Sequence, residues 1–505
     1  MKQDALFRLW FVSGVCLAAL FSLSCGPQAP QQEAAAGQGP YQTTGIKICE
    51  VDTHSAIIWT RLTKNAQRVG KDHPMPIVRY KDPQTGELVE RPKNRSAAEP
   101  VVEFPNGATI DTIEGAVPGT TGEVRVRYRL KGATEWEETP WQAVDPDHDF
   151  TAQIHLTDLK PASSYELEVN SRASAQGPAG QTITGHFKTA APPDQPQRVV
   201  FTVSTGQAYP DQDAPGGGFK IYDQMLKLDP EFFVHTGDIV YYDRLAKTVE
   251  LARWHWARTY SLPTNVRFHR QVASYFEKDD HDTWMNDCWP TMKSRFMGEF
   301  TFQQGQQVFL DEVGMGDRTY RTYRWGKDLQ IWLPEGRDFR SPNNMPDGPD
   351  KSIWGKEQKE WFKRTVQASD ATFRVLINET PVVGPDRTNK HDNLANKDFT
   401  HEGNEIRRFI ASQKNMYVVC GDRHWQYVSV DPKTGVREYS CGPASNEHAG
   451  GWSNDKRYPE HKYLNVTGGF LAGIVERENG KPVLIFRHYS VDGEILHEDK
   501  LPAKP

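Results

Sequence analysis

Three short acidic clusters, each at the end of an apolar, strand-like run, constrain the fold of this chain most strongly. The first contains Asp238, the second is the Asp-Asp-His-Asp run at 279–282, and the third contains Asp422 and His424. In an open α/β sheet, side chains at the carboxyl ends of the strands meet at one edge. The pattern therefore predicts an α/β fold with one site assembled at that edge.

These clusters carry the donor atoms of a metal site. A single Gly-Asp at a strand end is commonly an ordinary turn, but three such clusters together favour metal binding. Carboxylate oxygens mixed with imidazole suit calcium, manganese, iron or zinc rather than a thiolate cluster. Asp238 has two oxygens and can bridge two cations, and Tyr241 follows closely enough to reach the same ions. The absence of a Cys-x-x-Cys motif argues against a structural zinc site.

The order of the motifs also resembles a known family. Gly-Asp-x-x-Tyr at 237–241, Asp-Asp-His-Asp at 279–282 and Gly-Asp-x-His at 421–424 resemble the alkaline phosphatase D (PhoD-like) branch of the binuclear metallophosphatases. Residues 45–62 are similar to the N-terminal domain of that family. Residues 354–361 are similar to its Gly-x-x-Gln-x-x-Trp signature. The matches together span most of the chain after residue 40.

This resemblance implies a fold, a reaction and a set of site residues. The expected fold is α/β, with an N-terminal all-β sandwich of the fibronectin or immunoglobulin type followed by a metallophosphatase α/β/β/α sandwich. The expected reaction is attack on phosphorus by hydroxide formed on two metal ions. The expected metal ligands are Asp238, Tyr241, Asp280, Asp422 and His424. His281 matches a residue that contacts the phosphate or the leaving oxygen, Asn286 is a further ligand or phosphate contact, and Arg340 is a candidate to hold phosphate.

One position departs from the family pattern. Alkaline phosphatase D has a Cys that ligates iron after the first strand of its catalytic domain, and this chain has Gly206 there. Glycine has no side-chain donor, so we expect the first metal site to be one protein ligand short, with Gln207 or water as substitutes. The expected cofactors are two metal ions, Ca²⁺ together with Fe³⁺, Mn²⁺ or Zn²⁺.

The N-terminal residues predict export. Lys2 and Arg8 flank an apolar run at 9–23, which is too short for a membrane span and fits a signal peptide over residues 1–25. A small residue before Cys25 resembles a lipoprotein cleavage site, and plain secretion with cleavage nearby is the alternative. Residues 26–40 are rich in Pro, Gln, Ala and Gly and predict a flexible tether. We therefore expect a protein of the periplasm or outer cell envelope, anchored by lipid on Cys25.

Two domains are predicted after the tether. Residues 41–190 are expected to form the β-sandwich, because the run at 123–129 alternates apolar and charged residues. The pattern around Tyr165 resembles fibronectin type III domains, in which the Tyr anchors the loop before its strand. Residues 63–122 predict loops or an insertion, and 195–505 the metallophosphatase domain. Two cysteines that end candidate strands, Cys420 and Cys441, are placed to form a disulfide if those strands are neighbours.

The expected partner is a phosphate ester, either a small molecule, a lipid head group or a wall polymer, and monoesters and diesters both remain open. A net charge of −6 gives no support for nucleic-acid binding, and membrane contact is expected only through the N-terminal lipid. The alternative function is a non-catalytic, metal-stabilised cell-surface binding protein. The missing ligand at Gly206 favours that alternative, whereas His281 beside the metal ligands argues against it.

Overall fold

A nine-stranded sheet forms one half of the centre of the molecule. In spatial order its strands are β24 (Ile495–Pro502), β23 (Lys481–Tyr489), β22 (Phe470–Glu478), β12 (Val199–Ser204), β13 (Phe232–Thr236), β14 (Ala273–Glu277), β1 (Ile46–Cys49), β2 (Ala56–Arg61) and β9 (Thr151–Leu156). The four strands β12, β13, β14 and β1 run parallel. The other neighbours pair antiparallel. This computed structural model describes residues 39–93, 97–316 and 318–504.

A seven-stranded sheet forms the other half. Its strands are β15 (Arg321–Trp325), β16 (Leu329–Leu333), β17 (Phe373–Asn378), β18 (Met416–Cys420), β20 (Arg437–Cys441), β19 (Gln426–Val430) and β21 (His461–Asn465). Strands β16, β17, β18 and β20 are parallel neighbours. The carboxyl ends of β13 and β18 therefore each belong to a parallel part of a sheet, as the Gly-Asp motifs predict.

The two sheets pack face to face, and helices cover their outer faces. Val234 of β13 and Val419 of β18 belong to one buried cluster between the sheets. The preceding residue of each strand, Phe233 or Val418, faces the other side of its sheet and packs against helices. The helices are α1 (Lys220–Leu226), α2 (Tyr242–Leu245), α3 (Val249–Tyr260), α4 (Pro263–His269), α5 (Phe302–Glu312), α6 (Gly355–Ala368) and α7 (Thr400–Ala411). This layering confirms the predicted α/β/β/α fold class.

A third sheet belongs to the N-terminal region. Its strands are β11 (Ala179–Lys188), β10 (Ser164–Arg172), β6 (Glu123–Leu130) and β7 (Glu137–Glu138), with β8 (Gln142–Ala143) also paired to β6. Leu167 and Val126 of this sheet share a buried cluster with Ile58 and Ile154 of β2 and β9. The Tyr165 hydroxyl accepts a hydrogen bond from the Lys160 backbone N–H at 2.8 Å, so this tyrosine anchors the preceding loop as predicted.

Strands β1, β2 and β9 have two roles, because they face the N-terminal sheet and also extend the nine-stranded sheet. β1 pairs in parallel with β14 through Cys49 and Ser274. One sheet therefore crosses the predicted boundary between residues 190 and 195. Gly37–Pro505 forms one compact unit. The compact unit therefore does not separate residues 41–190 from 195–505, and the division into two domains stays a prediction.

Residues 63–122 contain a small antiparallel sheet in the order β4 (Leu88–Val89), β3 (Ile77–Lys81), β5 (Glu99–Glu103). The ring of Tyr80 stacks on Phe296 at 4.7 Å between centroids, which holds this insertion sheet against the segment that follows β14.

The remaining sequence predictions concern the N-terminus, membrane spans and the cysteines. The signal peptide, Cys25 and all but the last two residues of the tether lie outside the described residues. Within the described residues, no helix is both long enough and apolar enough to cross a membrane. Cys420 and Cys441 are both buried free thiols, and Cys441 Sγ donates to the Cys420 carbonyl oxygen at 3.5 Å. The disulfide considered between them is therefore not formed.

Candidate active site

The turn after each Gly-Asp strand brings its carboxylate to the sheet edge. Asp238 and Asp422 adopt left-handed backbone conformations with φ of 56° and 55°. A Cβ on Gly237 would lie 2.5 Å from the backbone nitrogen of Asp279, so only glycine allows the turn after β13 to approach the turn after β14. Because β13 and β14 are parallel neighbours, this contact places Asp238 beside the second acidic cluster.

Asp238 lies at the centre of the site. It is 2% exposed. The Tyr241 hydroxyl donates to its Oδ2 at 3.2 Å, and His424 Nε2 lies 3.3 Å from the same oxygen. Its buried Oδ1 has no hydrogen-bond partner among the described residues. Burial opposes ionisation, but the charge of His281 and the hydrogen bond from His424 hold the pKa of Asp238 below its usual value.

Two groups of potential metal ligands share this carboxylate. The first comprises Asp238, Asp280 and His281, and the second Asp238, Asp279 and Asp422, with ligand atoms within 4.8 Å of one another in each group. The structure therefore brings together all five predicted metal ligands and adds Asp279. Buried carboxylates with imidazole and phenol donors, and the unpartnered Asp238 Oδ1, fit a pair of hard or borderline cations.

A third acidic group lies next to these two but already contains a cation. Asp280, Asp287 and Asp392 approach one another within 4.8 Å. The Lys390 ammonium lies 2.5 Å from Asp287 and 4.0 Å from Asp392. Their charges raise the pKa of Lys390 against the lowering effect of burial. This ammonium balances part of the third group, as Arg337 and Arg423 pair with Asp279 and Asp422 in the second. The two groups that share Asp238 are the better candidates for metal because they contain the predicted ligands and the unpartnered Asp238 Oδ1.

A cavity of about 270 Å³ opens onto the acidic clusters. Its wall consists of Asp238, Asp280, His281, Asn286, Arg387, Lys390, Asp422, His424, Trp425, Gly450 and Gly451. His281 and Asn286, both expected site residues, thus lie in the wall of this cavity, and their roles stay predictions. Arg387 and Lys390 were not predicted, and both come from the irregular segment between β17 and α7, which has no periodic pattern.

Arg340 lies elsewhere. This predicted phosphate contact is 4% exposed, donates to Asn343 Oδ1 at 2.5 Å, and stacks over the Phe399 ring at 5.3 Å. Its neighbour Arg337 donates to Asp279 Oδ1 at 2.6 Å. Both guanidinium groups are buried, and neither lines the cavity. The expectation for Arg340 is therefore corrected, and Arg387 and Lys390 are the cations in the cavity wall.

His281 connects the first cavity to a second one. Its Nδ1 lies 3.1 Å from Asp243 Oδ1, and its ring is 4.6 Å from that of Tyr241. Burial lowers the pKa of His281, but the charges of Asp243 and Asp280 outweigh this and hold it well above its usual value. The second cavity, of about 720 Å³, is also lined by His281, together with Glu90 and Arg91 of the insertion.

The surroundings of Gly206 contain a histidine that the sequence analysis missed. Gly206 has φ of 48°, and a Cβ there would lie 3.1 Å from both His424 Nε2 and His448 Cδ2. His448 Nε2 is 2.5 Å from the Tyr241 hydroxyl oxygen. Gln207, the substitute considered above, accepts through Oε1 from the Tyr222 hydroxyl at 2.7 Å and faces away from the site. The side chain nearest to the expected thiolate position is thus an imidazole.

Fold and site together define an α/β/β/α protein whose clustered carboxylates and histidines could hold two metal ions. The sequence model of the PhoD-like phosphatases matches residues 201–466, and the chain belongs to that family. It is accordingly a metal-dependent phosphoester hydrolase, and the family implies two metal ions. The alternative of a non-catalytic binding protein is not supported.

Solved structures show the same fold. A structure of PhoD superimposes with a TM-score of 0.66 at 14% identity, covering 93% of this chain and 90% of that one. The purple acid phosphatase PPD1 from yellow lupin (Lupinus luteus) seeds gives a TM-score of 0.60 at 12% identity, covering 90% of this chain and 74% of that one. No curated protein matches the sequence.

Proposed function

We propose that this chain is an exported phosphoesterase that binds the phosphate group of its substrate in the smaller cavity and the alcohol portion in the larger one. The observation that carries this proposal is the composition of the smaller cavity. Its wall combines the candidate metal ligands Asp238, Asp422 and His424 with two cationic side chains, Arg387 and Lys390. A phosphate ester has the charge and size to contact both sets at once.

Arg387 and Lys390 are assigned to the phosphate oxygens. Arg387 Nε is 3.7 Å from Asp386, and its guanidinium lies 5.7 Å from the Trp425 ring centroid, which together fix its orientation. A guanidinium offers paired donors that match two phosphate oxygens, whereas the Lys390 ammonium contributes a compact charge. Because both side chains are partly buried, these contacts are stronger than exposed ones.

Proton transfer to the leaving group is assigned to His281. Bound metal ions would supply an activated water at working pH and neutralise charge on the phosphate. The leaving alkoxide needs a proton, and His281 is placed to supply one, because Asp243 Oδ1 lies 3.1 Å from its Nδ1 and, with Asp280, raises the pKa of the ring in the metal-free protein. Its place in the walls of both cavities puts it where phosphate and alcohol would join.

The insertion sheet supports a substrate with a sizeable alcohol portion. Tyr80, Glu90 and Arg91 line the larger cavity together with His281 and Asn286. A lone phosphate would leave this wall without a contact. A head group, a sugar phosphate or a wall-polymer unit would contact it.

The test is hydrolysis of p-nitrophenyl phosphate and bis-p-nitrophenyl phosphate by the full-length protein, with and without chelator. We expect release of p-nitrophenol from at least one ester, loss on chelation and recovery on adding Zn²⁺, Mn²⁺ or Ca²⁺. The ratio of the two rates distinguishes monoester from diester preference. Hydrolysis that persists after complete metal removal would contradict the proposal.

Export rests on the sequence alone. The apolar run at 9–23 and the tether behind Cys25 support a lipid-modified N-terminus. Mass spectrometry of the protein from its native cells should find a mature chain that begins at Cys25 and carries acyl mass. A chain that begins elsewhere without lipid would refute the anchor.

A further inference from the structure

We propose that His448 is a metal ligand, and that it replaces from another part of the chain the thiolate that Gly206 cannot supply. The inference rests on the proposed phosphoesterase site and names the donor of its first metal position. The cation it would take is a divalent ion, of the kind that accepts imidazole and oxygen donors together.

The position of His448 matches the vacancy left by the family's cysteine. Its Cδ2 would lie 3.1 Å from a Cβ built on Gly206, and its ring centroid is 4.2 Å from that of His424. His448 Nε2 is 2.5 Å from the Tyr241 hydroxyl oxygen, which itself is 3.2 Å from Asp238 Oδ2. The nitrogen thus points into the group formed by Asp238, Tyr241 and His424.

A carboxylate orients this imidazole. Asp211 Oδ2 is 2.8 Å from His448 Nδ1 and accepts a hydrogen bond from it, which leaves the lone pair of Nε2 facing Tyr241 and available to a metal ion. Metal-bound histidines almost always have such a carboxylate or carbonyl on the other ring nitrogen. Asp211 belongs to the short turn Tyr209–Asp211, so the segment that lacks the cysteine provides the group that aims the histidine.

The backbone fixes the loop that carries His448. The Ala444 N–H donates to the Gly206 carbonyl at 3.0 Å, and the Gly450 N–H donates to the His424 carbonyl at 2.9 Å. The loop is therefore tied on both sides of His448 to the two turns that border the site. The His448 side chain is 9% exposed, so its position is set by packing as well as by these bonds.

The exchange of thiolate for imidazole alters the charge of the site. A thiolate is an anion and a neutral imidazole is not, so the first position loses one negative charge. A trivalent ion loses more from this change than a divalent ion does. Nitrogen and oxygen donors of this kind suit zinc, manganese or ferrous iron.

The experiment measures Zn²⁺ binding to chelator-stripped, full-length protein by competition with a chromophoric chelator. We expect two equivalents in the wild type and loss of one, or a drop of more than about 100-fold in its affinity, in His448→Ala. Asp211→Asn should weaken the same equivalent about 10- to 100-fold, since it disturbs only the orientation of the ring. His401→Ala, at an exposed position on α7, is the control and should match wild type.

A second readout is the number of imidazoles around zinc from X-ray absorption, which should fall in His448→Ala. If His448→Ala does not fold, the zinc affinity of Asp211→Asn tests the inference instead, because this variant retains every candidate ligand. Unchanged zinc stoichiometry and affinity in His448→Ala and Asp211→Asn would overturn the inference while leaving the phosphoesterase proposal intact. Conversely, if His448→Ala loses zinc but the wild type hydrolyses no phosphate ester, the assignment of His448 as a ligand is supported and the proposed function is refuted.

Discussion

The buried carboxyl group of Glu379 makes a quantitative prediction about stability. Glu379 directly follows β17 and is 0% exposed, and neither carboxylate oxygen has a hydrogen-bond partner among the described residues. Both carboxylate oxygens of Glu277 on β14 also have no hydrogen-bond partner among the described residues. Burial, with the charge of Glu335 added, raises the pKa of Glu379 from 4.5 to about 7. We expect Glu379→Gln, which resembles the protonated form in shape, to stabilise the metal-free protein at alkaline pH.

The magnitude follows from the shift in pKa. Each unit corresponds to about 1.4 kcal/mol, so a shift from 4.5 to about 7 corresponds to roughly 3 kcal/mol. Between these two values the folded state of the wild type binds more protons than the unfolded state. Its free energy of unfolding therefore falls as the pH rises through this window, and the loss is complete above the folded pKa. The Gln variant has no such loss.

The assay is urea unfolding of chelator-treated wild type and Glu379→Gln at several pH values from 4.5 to 8.5. The difference in unfolding free energy should grow in favour of the variant by up to about 3 kcal/mol across this range. Glu135→Gln, at an exposed position, is the control and should stay within about 0.5 kcal/mol at every pH. A difference between Glu379→Gln and wild type that is the same at pH 5 and pH 8 would refute the reasoning.

Two further predictions concern the site. Asp238→Asn should lose most of the bound metal, because Asp238 belongs to both groups of candidate ligands, and elemental analysis that finds equal metal in variant and wild type would contradict this. Lys390→Met should raise KM for p-nitrophenyl phosphate about 10- to 100-fold, since a hydrogen bond to a charged group contributes about 1.5–3 kcal/mol. An unchanged KM would exclude Lys390 as a phosphate contact.

The central fold was predictable because its strands have a strong sequence signal. The Phe-Phe-Val run of β13 is apolar at successive positions, as is typical of parallel strands covered on both faces. The same signal is present in β2, which is buried along its whole length. The apolar run indicated a buried strand, but it did not indicate the sheet to which that strand belongs. β1 pairs with β14 across more than 200 residues of sequence, and no local pattern identifies such a partner.

The phosphate-binding side chains illustrate a different limit. Arg340 follows a buried strand, β16, and so matched the rule that strand ends carry the site. In the folded chain the segment after β16 turns inward, and Arg337 is used to neutralise Asp279. Arg387 and Lys390 lie in an irregular segment between β17 and α7, yet both side chains line the cavity. A rule based on strand ends locates the metal carboxylates well, because the strands fix them, and locates loop residues poorly.

Gly206 and His448 show why a missing ligand is easier to detect than its replacement. The motif comparison tests one position, and a glycine there is unambiguous. The replacement is defined only by space: Gly206 leaves room that two imidazole rings fill, and a Cβ would contact both at 3.1 Å. His448 reaches that room from a loop that begins after β20, in a stretch of Pro, Ala, Ser and Asn without periodicity. A side chain at 206 would press on the ring at 448, so the missing side chain and the imidazole beside it belong to one structural arrangement.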